Sequence, residues 1–124
     1  MGFKVLIVED SKATREFIAA TVEGLPDVEA FMSASGFDAL KLLPRHRFDL
    51  IITDINMPDI NGLELINFVK KNPAHKDTPL FIITTEGREQ DRDRGMALGA
   101  AEYLVKPFQP ASLEGLVRRY LKLA

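Results

Sequence analysis

Apolar residues along this chain fall into short continuous blocks, and the segments between the blocks carry helical spacing. Phe3 to Val8 (FKVLIV), Leu50 to Ile52 (LII) and Leu80 to Thr84 (LFIIT) are runs with β-branched content. Runs of that kind predict strands buried on both faces. Val28 to Met32 and Ala101 to Val105 are weaker blocks of the same type. Ser11 can cap a first helix in which Phe17, Ile18, Thr21, Val22 and Leu25 recur, closed by Gly24 and Pro26. Gly36 to Leu43 predicts a second helix, stopped by Pro44, with Arg45 and Arg47 near its negative dipole end. Leu63, Ile66 and Val69 mark a third that Pro73 ends, and Arg88 to Leu98 a fourth that is highly charged. In the last helix Leu113, Leu116, Val117, Tyr120 and Leu121 follow i, i+3, i+4, i+7, i+8. Strands alternating with helices through short connections predict an α/β fold, a parallel sheet covered on both faces.

With 124 residues the chain has enough length for one domain with a real core. The last helix reaches the final residue, so a single domain over residues 1–124 without an attached effector is expected. Sixteen Lys plus Arg against eighteen Asp plus Glu give a formal charge of −2, which argues against nucleic acid as the main partner. The absence of cysteine excludes disulfides, thiolate metal sites and Cys nucleophiles. No apolar run approaches the ~20 residues of a membrane span. The start, MGFKVLIVED, runs from a short apolar stretch straight into acid, unlike a signal peptide, and Leu6 stands where myristoylation wants Ser or Thr. A cytoplasmic, monomeric protein is therefore the expectation.

The chemistry gathers around Asp49 to Gly62, DLIITDINMPDING. Asp54 stands where the buried third strand surfaces, and Pro58, Asn61 and Gly62 force a loop before helical spacing resumes. In open α/β sheets the carboxyl ends of the strands face the ligand crevice. Glu9 and Asp10 follow the first strand, Thr84 ends the fourth and Lys106 follows the fifth, so parallel strands bring all of them to one edge. Three crowded carboxylates repel one another unless a cation intervenes. Oxygen-only ligands suit Mg²⁺, and Lys106 adds a second positive charge, a set able to stabilise a transferring phosphoryl group.

These residues resemble the receiver domains of response regulators, most closely the stand-alone chemotaxis (CheY-like) type. The likeness rests on VED at Val8 to Asp10, TDINMPDINGLEL at Thr53 to Leu65, ITTE at Ile83 to Glu86 and YLVKPF at Tyr103 to Phe108. It spans the whole chain in order. The resemblance implies a flavodoxin-like doubly wound sheet of order 2-1-3-4-5. It implies that Asp54 takes a phosphoryl group from a histidine kinase, that Asp10 ligates Mg²⁺ directly with Glu9 nearby or through water, and that Asp54 and the backbone carbonyl of Asn56 complete the protein ligands. Thr84 and Lys106 would hold phosphoryl oxygens. Tyr103 would be the rotamer switch coupled to Thr84, signalling through the fourth helix, fifth strand and last helix to an output protein. Asn56, Thr85 and Glu86 would tune the lifetime of the phosphoryl group, a phosphatase would be a further partner, and Lys106-Pro107 would be cis. The chain would catalyse only its own phosphorylation and dephosphorylation. Three residues depart from the commoner pattern: Glu9 for Asp, Thr85 for Ala and Asn61 for Asp.

Two other readings fit less well. Phosphatases of the haloacid-dehalogenase type place D-x-D on the first strand and carry a cap insertion, whereas Asp54-Ile55-Asn56 belongs to the third strand here. A pseudo-receiver, used only for binding, would not need Asp54, Thr84 and Lys106 all in place. A receiver excised from a longer regulator or hybrid kinase would share every motif. His46 and His75, in polar Pro-flanked surroundings without common ligand spacing, are expected at the surface, and Gly87 to Gly95 (GREQDRDRG) as a solvated helix face with Glu89–Arg92 and Asp91–Arg94 pairs.

Overall fold

Continuous apolar blocks cannot face water on either side, so they stack edge to edge and let helices cover both faces. The computed structural model describes residues 2–84 and 89–123. Its strands are β1 (Phe3–Val8), β2 (Val28–Ser33), β3 (Leu50–Asp54), β4 (Leu80–Thr84) and β5 (Glu102–Val105). All pair in parallel, in the order β2-β1-β3-β4-β5. The chain begins in the middle, moves out to β2 and then crosses back to β3. The crevice of such a sheet opens where that reversal falls, between the carboxyl ends of β1 and β3. The register sets those ends level: Val8 lies beside Thr53, Asp54 beside Ile83 and Thr84 beside Val105.

Alternation along each strand divides the core in two. Val5, Ile7, Leu50, Ile52, Phe81 and Ile83 face α1 (Lys12–Glu23) and α5 (Pro110–Leu121). Leu6, Val8, Ile51, Leu80 and Ile82 face α2 (Gly36–Leu42) and α3 (Gly62–Lys71), with α4 (Glu89–Leu98) beside them. Side-chain caps start three helices: Ser11 accepts from Thr14 N–H, Ser35 from Asp38 N–H and Asn61 from Glu64 N–H. The Asp59 carboxylate, in the loop after β3, accepts the N–H groups of Gly36 (3.2 Å) and Phe37 (2.9 Å). That loop is thereby tied to the start of α2, and the Phe37 amide holds the Asp59 carboxyl below its ordinary range.

Several expectations change. The second helix ends at Leu42, and Pro44 lies inside a 3₁₀ turn, Leu43–Arg45, where its missing N–H costs little. In α3 the buried positions are Leu65, Ile66 and Val69, while Leu63 is half-buried. Phe17 is 41% exposed and sets its ring 5.9 Å from Phe108 instead of entering the core. His75 is not a surface histidine: it is 3% exposed, its Nε2 donates to Leu43 O at 2.8 Å, and its Nδ1 is buried without a partner. The polar loop that carries it folds under the 3₁₀ turn, which wants a donor for its orphan carbonyl. His46 is half-buried, stacked on Phe31 at 4.4 Å, with its Nδ1 3.3 Å from Lys4 Nζ.

Gly62 shows how tightly the loop after β3 is drawn in. A Cβ there would lie 2.3 Å from the carbonyl oxygen of Asp54 and 2.9 Å from Ile55 Cα, both backbone atoms. At Gly95 the obstacle is Cδ1 of Ile82, the far end of a flexible side chain. Gly62→Ala is expected to cost about 1–3 kcal/mol of stability, as overpacking does, and Gly95→Ala less. Urea unfolding of both variants in chelator checks the order; equal losses would show that the backbone contact at Gly62 is not the tighter constraint.

Candidate functional site

Asp54 is the last residue of β3, and burial of that whole strand leaves the residue 7% exposed at the sheet edge. Glu9, one residue past β1, is deeper still at 1%, whereas Asp10 is exposed. Each of the three offers an oxygen, and these oxygens lie within 4.8 Å of one another. Lys106 follows β5 after its N–H is fixed to Thr84 O at 2.7 Å. Its ammonium reaches back to Glu9 Oε1 at 2.5 Å and Asp54 Oδ2 at 3.7 Å. The Lys106-Pro107 bond is cis, as the motif implied.

Burial pushes the Asp54 carboxyl up from its ordinary range, against the opposing pull of the Lys106 charge and of the Asn56 N–H. The Asp10 carboxyl is also raised, first by desolvation and then by the hydrogen bond and charge of Glu9. One residue was missed by sequence reasoning. Arg15 Nη1 donates to Glu9 O at 2.8 Å and to Asp10 O at 3.4 Å, clamping the loop that carries both acids. Its signal was available: a cation in the first turn of a helix opposes the dipole and needs a compensating partner.

Thr84 is buried at the end of β4. Tyr103 is half-buried beside the core cluster of α2 and α3, and across from it on β4 stands Ile82, two residues before Thr84. Burial raises the Tyr103 hydroxyl, and the Asp91 charge adds to that, which places α4 within electrostatic reach of the ring. Asn56 is exposed just beyond Asp54. Thr85 and Glu86 lie outside the described residues, as does Arg88 at the expected start of α4. His46 and His75 take no part in the site.

The donor set fits a hard divalent cation. Its donors are all oxygen, three carboxylates converge, and one ammonium cannot neutralise them. Among the described residues no helix is long and apolar enough to cross a membrane.

Comparison with known proteins gives a consistent result. The family described as response regulator receiver domain matches residues 5–118. A chemotaxis protein CheY homolog of Campylobacter jejuni is 35% identical over 90% of this chain and 86% of its own length. The transcriptional regulatory protein CusR of Escherichia coli is 36% identical over 96% of this chain and 51% of its own length. The first curated relatives are spanned over 54% and 33% of their lengths. The solved structure of chemotaxis protein CheY4 of Vibrio cholerae superposes with a TM-score of 0.90 at 36% identity, covering 97% of this chain and 99% of that one.

The Asp54 environment sets the sign of a pH effect. A carboxyl raised in the folded state binds its proton more tightly there than in the unfolded chain, so stability falls as pH rises through the folded pKa. At neutral pH the ionised Asp54 is then a net cost. Asp54→Asn is expected to raise the melting temperature near pH 7 in chelator, with the gain fading as pH falls through the raised folded value towards the ordinary carboxylate range. Thermal melts from pH 4 to 8 check this, and a destabilised variant at pH 7 would contradict it.

Proposed function

The chain belongs to the response regulator receiver domains of two-component systems, CheY-like in form, and from that premise we propose that Asp54 is its phosphoryl acceptor. Receiver domains are signalling switches rather than classical enzymes, and they bind Mg²⁺ at an acidic pocket. The observation that carries the proposal is the placement of Asp54: a nearly buried carboxylate at a strand end, 3.7 Å from an ammonium and within a cluster of acids.

In this reading an Asp54 oxygen attacks the phosphorus of a kinase phosphohistidine. The P–O bond forms as the P–N bond breaks, and the imidazole leaves with the bonding pair. Lys106 and the Thr84 hydroxyl take up charge on the phosphoryl oxygens. Glu9, Asp10, Asp54 and the Asn56 carbonyl would hold Mg²⁺. When bound, Mg²⁺ supplies the neutralisation that lets an anionic donor approach three carboxylates. Burial of Asp54 excludes bulk water from the acyl phosphate, while exposed Asn56, with Glu86 and Thr85, would set how fast water returns.

The signal would leave through Thr84 and Tyr103. Phosphorylation adds charge at the sheet edge, Thr84 moves towards it, and Tyr103 turns inward into the room vacated. The face altered would be that of α4, β5 and α5, on which Met96 of α4 and Val105 of β5 are exposed. An output protein would bind there and a phosphatase would reset the switch. Residues 1–124 would act as one cytoplasmic, monomeric receiver domain with neither nucleic acid nor membrane as a partner.

Two measurements test this. Incubation with acetyl phosphate or a phosphorylated kinase should label the wild type only with Mg²⁺ and should not label Asp54→Asn; labelling that survives either change removes Asp54 from the role. Affinity for the output protein should rise with beryllofluoride in the wild type by about 5–150-fold, the usual scale of such coupling, and much less in Thr84→Ala and Tyr103→Ala. An unchanged gain in both variants would break the proposed route while leaving Asp54 in place.

A further inference from the structure

β2 is an outer strand of the sheet, paired to β1 on one side only. Its odd positions turn their backbone groups inward: the carbonyl of Ser33 accepts the Glu9 N–H, and that of Asp27, just before the strand, the Phe3 N–H. By the alternation of a strand, Val28, Ala30 and Met32 turn their N–H and C=O groups outward. An outward row of this kind is a template for a further strand. Its centre is occupied. Glu23, the last residue of α1, reaches over the edge, and its Oε2 accepts the Ala30 N–H at 3.2 Å. Among the described residues no acceptor meets the N–H of Val28 or of Met32.

We propose that the β2 edge is a pairing surface for a second copy of this chain and that Glu23 keeps it shut. The occupant is another copy because the edge is complementary to itself. Set antiparallel about a twofold axis through Ala30, two β2 strands place Ala30 opposite Ala30 and Val28 opposite Met32. Each outward N–H then meets an outward C=O. The same register puts Glu29 opposite Phe31 of the second copy, with about 4.5 Å between their Cα atoms. The Phe31 ring carries the Lys4 ammonium 5.6 Å from its centroid, so acid meets base on both sides of the axis. Met32, 50% exposed, loses water against the second strand. Glu23 opposes this pairing twice. It takes the central N–H that the pair needs, and the axis brings two Glu23 carboxylates together, like charge against like. The resting chain is therefore a single copy. The face of α4, β5 and α5, at the other edge of the sheet, stays outside the contact.

Analytical ultracentrifugation of the full chain over a range of concentrations tests the proposal. The wild type should sediment as a monomer. Glu23→Ala should tighten self-association by at least about tenfold, the scale of the hydrogen bonds set free, with a dimer as the limiting species. Adding Ala30→Pro to Glu23→Ala should restore the monomer, since proline at an outward edge position removes only the pairing N–H. If that double variant does not fold, Glu29→Lys takes its place. Glu29 is exposed, and its reversal sets like charge against Lys4 of the second copy, so the Glu23→Ala dimer should weaken several-fold. Amide exchange locates the contact: the Met32 N–H should be slowed in the Glu23→Ala dimer relative to the wild type. A Glu23→Ala chain as monomeric as the wild type, or a wild type that already pairs through β2, overturns the proposal. So does a dimer that survives the edge substitution or leaves Met32 unprotected, or assembly beyond a dimer.

Discussion

Repulsion among three carboxylates at one sheet edge is the constraint that the rest of this structure answers to. The parallel register forces it: Val8 and Thr53 are neighbours, so the acids that follow β1 and the acid that ends β3 must meet. Burial sharpens it, because the charged form of Asp54 is disfavoured where water is thin. Lys106 answers part of that cost, and backbone amides answer more. The residual negative charge makes the place fit for a cation rather than a merely strained core.

Elements far along the chain are held in service of this arrangement. The loop after β3 is drawn under Asp54 by the Gly62 N–H to Ile55 carbonyl bond at 2.8 Å. It is pinned sideways to α2 by Asp59. On the other side, Arg15 reaches from α1 to lock the carbonyls beneath Glu9 and Asp10. None of these residues contributes a group to the acid cluster. Each removes freedom from a loop that would otherwise let the carboxylates drift apart.

Most of the fold was legible because a parallel sheet writes itself as unbroken apolar blocks. The bounds of β1 and β4 were read without error, and the cap at Ser11 came from residue chemistry alone. Periodicity did less well where a face is only partly covered. Phe17 keeps helical spacing yet looks outward, and Leu63 packs only at the margin of the core, since spacing counts apolar residues without knowing how wide the buried stripe is. His75 was misjudged for another reason. Its environment is made by a turn 32 residues earlier, and local polarity says nothing about an orphan carbonyl elsewhere. Glu9, Asp10, Asp54 and Lys106 are brought together, but the preference of Lys106 for Glu9 was not readable. It depends on distances across the sheet that no motif encodes.

The same pocket logic explains why the face beyond Tyr103 can be built loosely. Strands β3 and β4 are wholly buried and cannot yield without opening the core. Helix α4, in contrast, buries only Gly95, seated on Ile82, which pairs with Tyr103. A helix anchored by a glycine gives up little apolar burial when it shifts. Its charges, Asp91 and Arg92, act on Tyr103 through space rather than through packing. Rigid strand ends thus fix the acid cluster, while a lightly seated helix lies beside them, the surface that the proposed switch would move.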